Sequence, residues 1–387
     1  MNTLPAALLV LEDGTLWPGR GFGAIGDTTG EIVFNTSITG YQEILTDPSY
    51  HGQIVTMTMP HIGNYGITSE DEESRRTWAA GFVVRSVSPI MSNWRAEQSL
   101  PAYLQAQGVV GITDVDTRAL VRHIRTQGAM RAALSSSDPD PDRLLALARS
   151  ARDMNGLDLA QEVTCAEPYH WTQGQDWWQP SRNSASENGL QSANGVGKRP
   201  FHVVAYDFGI KRNILRLLAA RGCHVTVVPA ETTAEEVMRL QPDGIFLSNG
   251  PGDPAAVTYA IKSINQLLGK KPLFGICLGH QLLGLALGAE TYKMKFGHRG
   301  GNQPVQVTST GAVQISSHNH GFAVDTATLP PGVSMSHVNL NDQCCEGLDA
   351  PAHHAFSVQY HPESSPGPHD SDELFDRFVE MMREKSE

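Results

Sequence analysis

A short glycine-flanked motif between a predicted strand and a predicted helix constrains this chain most. Residues 271–276 form an apolar run typical of a buried strand, and the run leads into Gly275-x-Cys277-x-Gly279. Leucines with helical spacing follow up to Gly288. A strand that turns into a helix at a residue with glycines two positions away on each side is typical of a nucleophile elbow. The glycines allow a tight turn, so we expect the side chain at its tip to be exposed.

The side chain at the tip of this turn is a thiol. At a helix N-terminus, the positive end of the macrodipole favours the thiolate over the thiol. The alternative is a buried structural cysteine at a strand end, because free cysteine is among the most buried residue types. The paired glycines and the strand-to-helix context favour a nucleophile, and Cys277 is therefore the first candidate catalytic residue.

Residues 200–387 alternate predicted strands and helices. The strands are predicted at residues 201–208, 223–229, 244–248 and 271–276. Helical segments separate them at residues 211–221, 233–240 and 255–268. This order predicts an α/β domain with a mostly parallel open sheet and helices on both faces. Ligands bind at the carboxyl ends of the strands in such sheets, which is where Cys277 and the loop 249–254 fall.

The first 152 residues have a different pattern. Strands are predicted at residues 6–11, 31–36 and 53–59, and helices at 118–126 and 141–151. This mixture predicts an N-terminal α+β domain. Residues 153–199 are expected to be a connecting segment, because 167–199 are rich in Trp, Gln, Ser, Asn and Gly and 181–197 hold almost no large apolar residues. Gly195-x-Gly197-Lys198 lacks the spacing and the Ser/Thr of a phosphate-binding loop.

Bulk composition excludes several classes of protein. The chain has 387 residues, 40% hydrophobic and 18% charged, with a net charge of −12. The acidic balance disfavours nucleic-acid binding, which needs a basic surface. No apolar run approaches the roughly 20 residues of a membrane span, and the N-terminus lacks the features of a signal peptide. Five cysteines without framework spacing indicate a reducing compartment, so we expect a cytoplasmic protein.

A thiol nucleophile needs a base and an orienting group. His361 follows an apolar strand, and Glu363 lies two residues further on. On extended backbone, which Pro362 favours, residues two apart face the same way, so Glu363 can hold the imidazole tautomer. The alternative is a surface histidine at a strand end. Oxyanion donors are expected from the N–H of Leu278 and from the loop 250–252.

Three further histidines compete for the role of base. His280 lies on the helix after the elbow, while His318 and His320 flank Asn319 in a loop predicted to form a substrate wall. His318-x-His320 and the adjacent Cys344 and Cys345 match no zinc spacing, so no metal site is expected. From the residues alone, the chemistry is acyl transfer through a thioester, and the type of carbonyl stays open.

Three motifs in order resemble those of class I, triad-type glutamine amidotransferases: Asn249-Gly250-Pro251-Gly252-Asp253-Pro254, Gly275-Ile276-Cys277-Leu278-Gly279-His280-Gln281 and His361-Pro362-Glu363. Segments at residues 9–14, 40–50, 60–64 and 114–118 are similar to the small subunit of carbamoyl-phosphate synthetases. The resemblance covers nearly the whole chain and lapses at about residues 172–198. Two residues depart from the family pattern: His318 stands where Gln often precedes Asn-His-Gly, and Tyr360 stands where Gly often precedes His-Pro-Glu.

The resemblance implies a flavodoxin-like amidotransferase domain that hydrolyses L-glutamine to glutamate and ammonia. Cys277 would be the nucleophile, His361 the base and Glu363 its orienting group. The residues that would contact glutamine are Ser49, Gly250, Gly252, Leu278, Gln281, Asn319, Gly321 and Phe322. Ammonia would pass through a tunnel to a large subunit, the heterodimer partner that residues 1–152 would contact. No cofactor is expected in this chain, because ATP and Mg²⁺ would be used by the large subunit to make carbamoyl phosphate for arginine and pyrimidine synthesis.

Three alternatives are weaker. An amidotransferase subunit for anthranilate or guanylate synthesis would leave residues 1–150 without a role. A stand-alone γ-glutamyl hydrolase would need no partner and would be strongly active as an isolated chain. A non-catalytic scaffold would not need a complete Cys277, His361 and Glu363 set.

Overall fold

A closed β-barrel forms the N-terminal part of the computed structural model, which describes residues 4–174 and 199–385. The strands of this part are β1 (Ala6–Leu11), β2 (Leu16–Gly23), β3 (Asp27–Asn35), β4 (Gln53–Met57), β5 (His61–Ile62), β6 (Gly81–Val83), β7 (Ser86–Val87), β8 (Val110–Thr113) and β9 (Met130–Ser135). Its helices are α1 (Tyr41–Thr46), α2 (Leu100–Ala106), α3 (Thr117–Gln127) and α4 (Pro141–Ser150). The barrel order is β1-β2-β8-β6-β4-β3-β9, and β5 pairs with β7.

Strand β1 illustrates why these strands are apolar throughout. Successive side chains of a strand point to opposite faces. Leu9 and Leu11 join one buried cluster with the other barrel strands, while Leu8 and Val10 pack against Leu144 of α4. Both faces of the strand are therefore covered, which gives a continuous apolar sequence rather than an alternating one.

A second, larger sheet contains the C-terminal strands. They are β10 (Tyr169–Trp171), β11 (Phe201–Asp207), β12 (Cys223–Pro229), β13 (Gly244–Leu247), β14 (Leu273–Ile276), β15 (Thr291–Val307), β16 (Val313–Val324), β17 (Ser334–Asn339), β18 (Cys345–Ala350) and β19 (Ala355–Val358). The helices are α5 (Ala160–Val163), α6 (Arg212–Ala220), α7 (Ala234–Arg239), α8 (Thr258–Leu267), α9 (Leu278–Leu287) and α10 (Glu373–Glu384). The strand order is β10-β12-β11-β13-β14-β19-β18-β17-β15-β16.

Helices cover both faces of this sheet, which confirms the predicted α/β class. Ile214 of α6 and Phe378 of α10 pack in one buried cluster with the strands, and Val237 of α7, Ile264 of α8 and Leu282 of α9 pack in another. The predicted parallel arrangement holds for β12, β11, β13, β14 and β19. The sheet continues through antiparallel strands β18, β17, β15 and β16, which are joined without crossover helices.

The segment predicted to connect the two parts contains regular secondary structure in its first portion. Residues 153–174 contain α5 and β10, and β10 pairs antiparallel with β12 at the edge of the large sheet. The polar composition had indicated a linker or exposed loop from residue 167 onward. A short edge strand needs few buried apolar residues, so composition does not reveal it. The polar run 181–197 and the Gly195-x-Gly197-Lys198 motif lie outside the described residues.

Candidate active site

Cys277 occupies a strained turn between β14 and α9. Its backbone has φ 54° and ψ −104°, a left-handed φ that non-glycine residues rarely adopt. A Cβ at Gly279 would lie 2.2 Å from the carbonyl oxygen of Leu247, and one at Gly275 would lie 2.7 Å from that of Gly279. The two glycines are therefore required by close backbone contacts, as the elbow motif predicts. The expected exposure of the thiol is wrong, because Cys277 is only 2% exposed.

His361 lies just beyond β19, bridged to β16 through its N–H, which donates to the Ser317 carbonyl at 2.8 Å. Its Nδ1 lies 2.6 Å from Glu363 Oε1, and because an ionised carboxylate only accepts, Nδ1 carries the proton. The Nε2 atom has no hydrogen-bond partner within ordinary distance in residues 4–174 and 199–385. The Cys277 thiol is close enough to raise the pKa of the imidazole.

The backbone brings Glu363 to His361 in a different way from the predicted one. Residues 361–364 form a turn, closed by the N–H of Ser364 on the carbonyl of His361 at 3.1 Å, rather than extended chain. The curvature of a turn can bring side chains two positions apart to the same side. The expected contact between His361 and Glu363 is therefore present, although the backbone between them is not extended as predicted.

For both His361 and Glu363, the effect of nearby opposite charges on the pKa is larger than the effect of burial. Burial alone would lower the pKa of His361, but the charge of Glu363 and the nearby thiol raise it to about 10. Burial alone would raise the pKa of Glu363, but the charges of Lys211 and His361 lower it to about 2. At neutral pH the geometry therefore favours an imidazolium held by a carboxylate.

Lys211 was not predicted from the sequence. Its side chain is buried, and Nζ donates to Glu363 Oε1 at 2.9 Å and to the Ser364 carbonyl. Asn213 Nδ2 donates to the Glu363 carbonyl oxygen at 2.5 Å. Both residues lie at the start of α6, just past the carboxyl end of β11. That position in a parallel sheet was the one signal that could have identified them.

A cleft opens beside the Cys277 thiol. It brings together most of the residues that the family resemblance implied as glutamine contacts: Ser49, Gly250, Gly252, Gln281, Asn319, Gly321 and Phe322. Leu278 does not line the cleft. Its backbone N–H is the first of α9, and such an N–H has no acceptor within its own helix.

The barrel supplies one wall of this cleft. Asp47 accepts a hydrogen bond from Asn319 Nδ2 at 3.0 Å, and its other oxygen accepts from the N–H of Ser49 at 2.9 Å. Asn249 Nδ2 donates to Ser49 Oγ at 2.9 Å and contacts Asp47 Oδ1 at 3.3 Å. The short 3₁₀ turn Pro48–Tyr50 is therefore bound directly to the loop after β13 and to β16.

Several charged residues of the cleft were missed by the sequence analysis. Glu31 of β3 pairs with Lys293 of β15 at 2.7 Å, across the two parts of the chain. Arg299, also on β15, is 3% exposed, and its burial lowers the pKa of the guanidinium. These residues come from distant strands without a shared local motif, so only the tertiary packing unites them.

His280 is not part of the cleft. It is fully buried, with Nδ1 2.9 Å from Ser357 Oγ, and burial lowers its pKa to about 3. None of the helices in the part of the chain that the structure describes combines the length and hydrophobicity needed to cross a bilayer.

Comparison with known proteins agrees with this geometry. Residues 204–381 match the sequence profile described as glutamine amidotransferase class-I. Residues 9–134 match that described as carbamoyl-phosphate synthase small chain, CPSase domain. The chain is 58% identical to a carbamoyl phosphate synthase small chain of Syntrophotalea carbinolica, over 97% of both chains.

Two further relatives carry the same description. A small chain of Escherichia coli K12 is 54% identical over 98% of both chains. A chloroplastic small chain of Oryza sativa subsp. japonica is 53% identical over 98% of this chain and 83% of the relative. The chain belongs to the carbamoyl phosphate synthase small chain family, and it is an enzyme with a class I glutamine amidotransferase domain.

Proposed function

We propose that this chain hydrolyses L-glutamine through a Cys277 thioester and delivers the ammonia to a large subunit. The observation that carries the proposal is the placement of Cys277 at the cleft on a strained elbow, next to the unpartnered Nε2 of His361. The 2.6 Å contact between His361 and Glu363 supplies the orienting group.

In the first step the Cys277 thiolate attacks the carbon of the glutamine side-chain amide. The carbonyl electron pair moves to oxygen, and the oxyanion is held by the N–H of Leu278 and an N–H of the loop 250–252. Collapse of this tetrahedral intermediate breaks the carbon–nitrogen bond. His361 Nε2 gives its proton to the departing nitrogen, and ammonia leaves.

In the second step water attacks the thioester. His361, now neutral, takes a proton from the water as the new carbon–oxygen bond forms. The carbon–sulfur bond then breaks, which releases glutamate and regenerates the thiolate. Glu363 keeps Nδ1 protonated through both steps, because it can only accept from that atom.

Recognition of glutamine rests on the two walls of the cleft. Ser49 comes from the barrel, while Gly250 and Gly252 come from the loop after β13. The remaining proposed contacts are Leu278, Gln281, Asn319, Gly321 and Phe322. A Cβ at Gly250 would lie 2.1 Å from the carbonyl oxygen of Phe208, the residue after β11, so this position has no room for a side chain.

The ammonia is a substrate for a second protein in this proposal. The relatives are named small chains, which supports a large-subunit partner for this chain as well. There, bicarbonate and two ATP with Mg²⁺ would give carbamoyl phosphate in the cytoplasm. Residues 1–152 would form the domain that contacts the partner, 153–199 the connection, and 200–387 the glutaminase.

One substitution tests the proposal directly. In the complex with the large subunit, Cys277→Ser should abolish glutamine-dependent carbamoyl phosphate synthesis and leave synthesis from free ammonia intact. Cys223→Ser, at a buried cysteine at the start of β12, is the matched control and should retain both activities. Glutamine-dependent synthesis by the Cys277→Ser complex would refute the nucleophile assignment.

A further inference from the structure

A cluster of buried metal-ligating side chains lies behind the wall of the cleft. It comprises His298 on β15, His318 and His320 on β16, and Glu346 on β18. One nitrogen or oxygen of each lies within 4.8 Å of those of the others. All four residues are at least nine-tenths buried. Apart from His320, which also borders the cleft, the proposed glutaminase chemistry gives these groups no role.

The separations between these atoms fit a tetrahedral metal ion. Glu346 Oε1 lies 3.4 Å from His298 Nδ1 and 3.6 Å from His318 Nδ1. His318 Nδ1 lies 3.3 Å from His320 Nε2. Bonds of about 2.0–2.1 Å from zinc to nitrogen or oxygen place tetrahedral neighbours about 3.3–3.4 Å apart. Three of the six separations are therefore close to those of a tetrahedral site, and all six lie within 4.8 Å.

The other ring nitrogen of each histidine is held by an outer partner. His298 Nε2 lies 2.9 Å from the carboxylate of Asp342, and His320 Nδ1 lies 2.9 Å from the Phe322 carbonyl. Both partners accept only, so both nitrogens carry protons. His318 Nε2 lies 2.8 Å from Ser316 Oγ, which itself donates to the Gln303 carbonyl.

These outer contacts leave lone pairs pointing at the centre of the cluster. His318 Nδ1 and His320 Nε2 face each other at 3.3 Å, and in the tautomers that the outer contacts set, neither nitrogen carries a proton. Glu346 Oε1 accepts from Asn339 Nδ2 at 3.0 Å, and Glu346 Oε2, in a fully buried side chain, has no hydrogen-bond partner in the described ranges. Burying unpaired acceptors and a carboxylate in this way is unfavourable, and a bound cation would offset that cost.

A proton on His298 explains only part of the cluster. A ring with protons on both nitrogens would place the Nδ1 proton toward Glu346 Oε1, 3.4 Å away. It would not supply a donor between His318 and His320. A carboxylate or carbonyl on the outer nitrogen of a histidine is also the usual second shell of a metal ligand.

We propose that His298, His318, His320 and Glu346 bind one zinc ion in a closed, four-coordinate structural site. Imidazole and carboxylate ligands suit zinc, and four protein ligands leave no open position for a reacting water. The neighbouring set of His298, Asp342 and Cys344 is a weaker choice, since it offers three ligands and Asp342 is exposed.

The ion would join three strands of the antiparallel half of the sheet. Its ligands lie on β15, β16 and β18, and two of them flank Asn319, so zinc would fix the part of β16 that borders the cleft. The expectation of no metal site rested on local spacing. The fold supplies ligands from positions 298, 318, 320 and 346, which no sequence pattern for zinc connects.

Metal analysis of the full-length, untagged chain, purified without chelators, tests the proposal. We expect one equivalent of zinc per chain by plasma mass spectrometry. Glu346→Gln and His318→Gln should each reduce the zinc content at least tenfold. The matched control is His337→Gln, a buried histidine of β17 outside the cluster, and it should keep its zinc.

A second measurement guards against variants that fail to fold. After chelation, the wild-type chain should melt at a lower temperature and recover when zinc is added, and cobalt(II) should give the visible spectrum of a four-coordinate site. Asp342→Asn, which changes only an outer partner, should weaken zinc binding about 10- to 100-fold. If chelation unfolds the chain and zinc restores it, the structural role is supported.

Three results would overturn the proposal. The first is a wild-type chain that lacks zinc as purified, takes up none from solution and melts at the same temperature with and without it. The second is full zinc retention by both folded cluster variants. The third is equal loss of zinc from the His337→Gln control.

Discussion

Glu363 Oε1 accepts hydrogen bonds from both His361 Nδ1, at 2.6 Å, and Lys211 Nζ, at 2.9 Å. One carboxylate oxygen thus joins the proposed base to a buried ammonium group. Because Lys211 is the largest favourable charge acting on Glu363, it keeps the pKa of that carboxyl low against the effect of burial. The protonation state of the base therefore depends on a residue that does not line the cleft.

Replacing Lys211 with methionine should impair both stability and glutamine hydrolysis. Removing one partner of a buried ion pair typically costs about 3–5 kcal/mol, since the other charge remains desolvated. The pKa of Glu363 should rise, because its largest favourable charge is lost. Thermal melting and the pH profile of kcat/KM check this, with Lys262→Met, at an exposed position of α8, as the control. An unchanged pH profile would contradict the assignment.

The His361 and Glu363 pair should make stability depend on pH in two windows. The pKa of Glu363 is lowered from 4.5 to about 2, so its contribution is full above pH 4.5 and is lost as the pH falls toward 2. The pKa of His361 is raised from 6.5 to about 10, so its contribution is full below pH 6.5 and is lost as the pH rises toward 10.

Glu363→Gln should therefore flatten the alkaline side of the stability profile, because the raised pKa of His361 depends on the Glu363 charge. We expect the wild-type melting temperature to fall more than that of the variant between about pH 6.5 and pH 10. Melting curves of both proteins across this range measure the difference. Parallel curves would show that the pair does not carry this dependence.

Asp47→Asn should weaken glutamine binding with a smaller effect on kcat. Asp47 accepts from Asn319 and from the N–H of Ser49, and an asparagine would direct an NH₂ group at one of these donors. Loss of a hydrogen bond to a charged group costs about 1.5–3 kcal/mol, which is on the order of a 10- to 100-fold rise in KM.

Steady-state glutaminase kinetics measure this effect. Asp116→Asn is the control, because asparagine caps a helix as well as aspartate does and Asp116 caps α3. An increase confined to kcat would place Asp47 in the chemistry rather than in the cleft wall.

Gly279→Ala should disrupt the elbow. The added Cβ would lie 2.2 Å from the backbone oxygen of Leu247, which cannot move without displacing β13. We expect a folded fraction or melting temperature well below that of the wild type, and loss of glutamine hydrolysis. Gly174→Ala, where no atom of residues 4–174 and 199–385 lies within 4 Å of the added Cβ, should behave as wild type in circular dichroism and activity assays.

The sequence predicts those parts of the site that depend on residues close together in the chain. The elbow at Cys277 follows from glycine spacing between a strand and a helix, and Glu363 lies only two residues from His361. The same holds for the parallel core of the large sheet, whose strands alternate with helices. These features depend on short-range sterics and periodicity, so the residue pattern is enough.

The remainder depends on which distant elements pack together. Glu31 lines the cleft, and Asp47 binds Asn319 of its wall, because the barrel packs against β15 and β16. Lys211 reaches Glu363 from the start of α6. Closure of the barrel and the antiparallel extension of the sheet also depend on long-range strand pairing. No local periodicity encodes such pairings.

The hydrogen bonds from Asn249 and Asn319 to the turn that carries Asp47 and Ser49 have a consequence for the modularity of this enzyme. An excised C-terminal half would keep its thiol and histidine but lose one side of the amino-acid cleft. We therefore do not expect the C-terminal half to hydrolyse glutamine when it is separated from the barrel. Whatever displaces the barrel relative to the large sheet, including a docking protein, acts directly on the cleft.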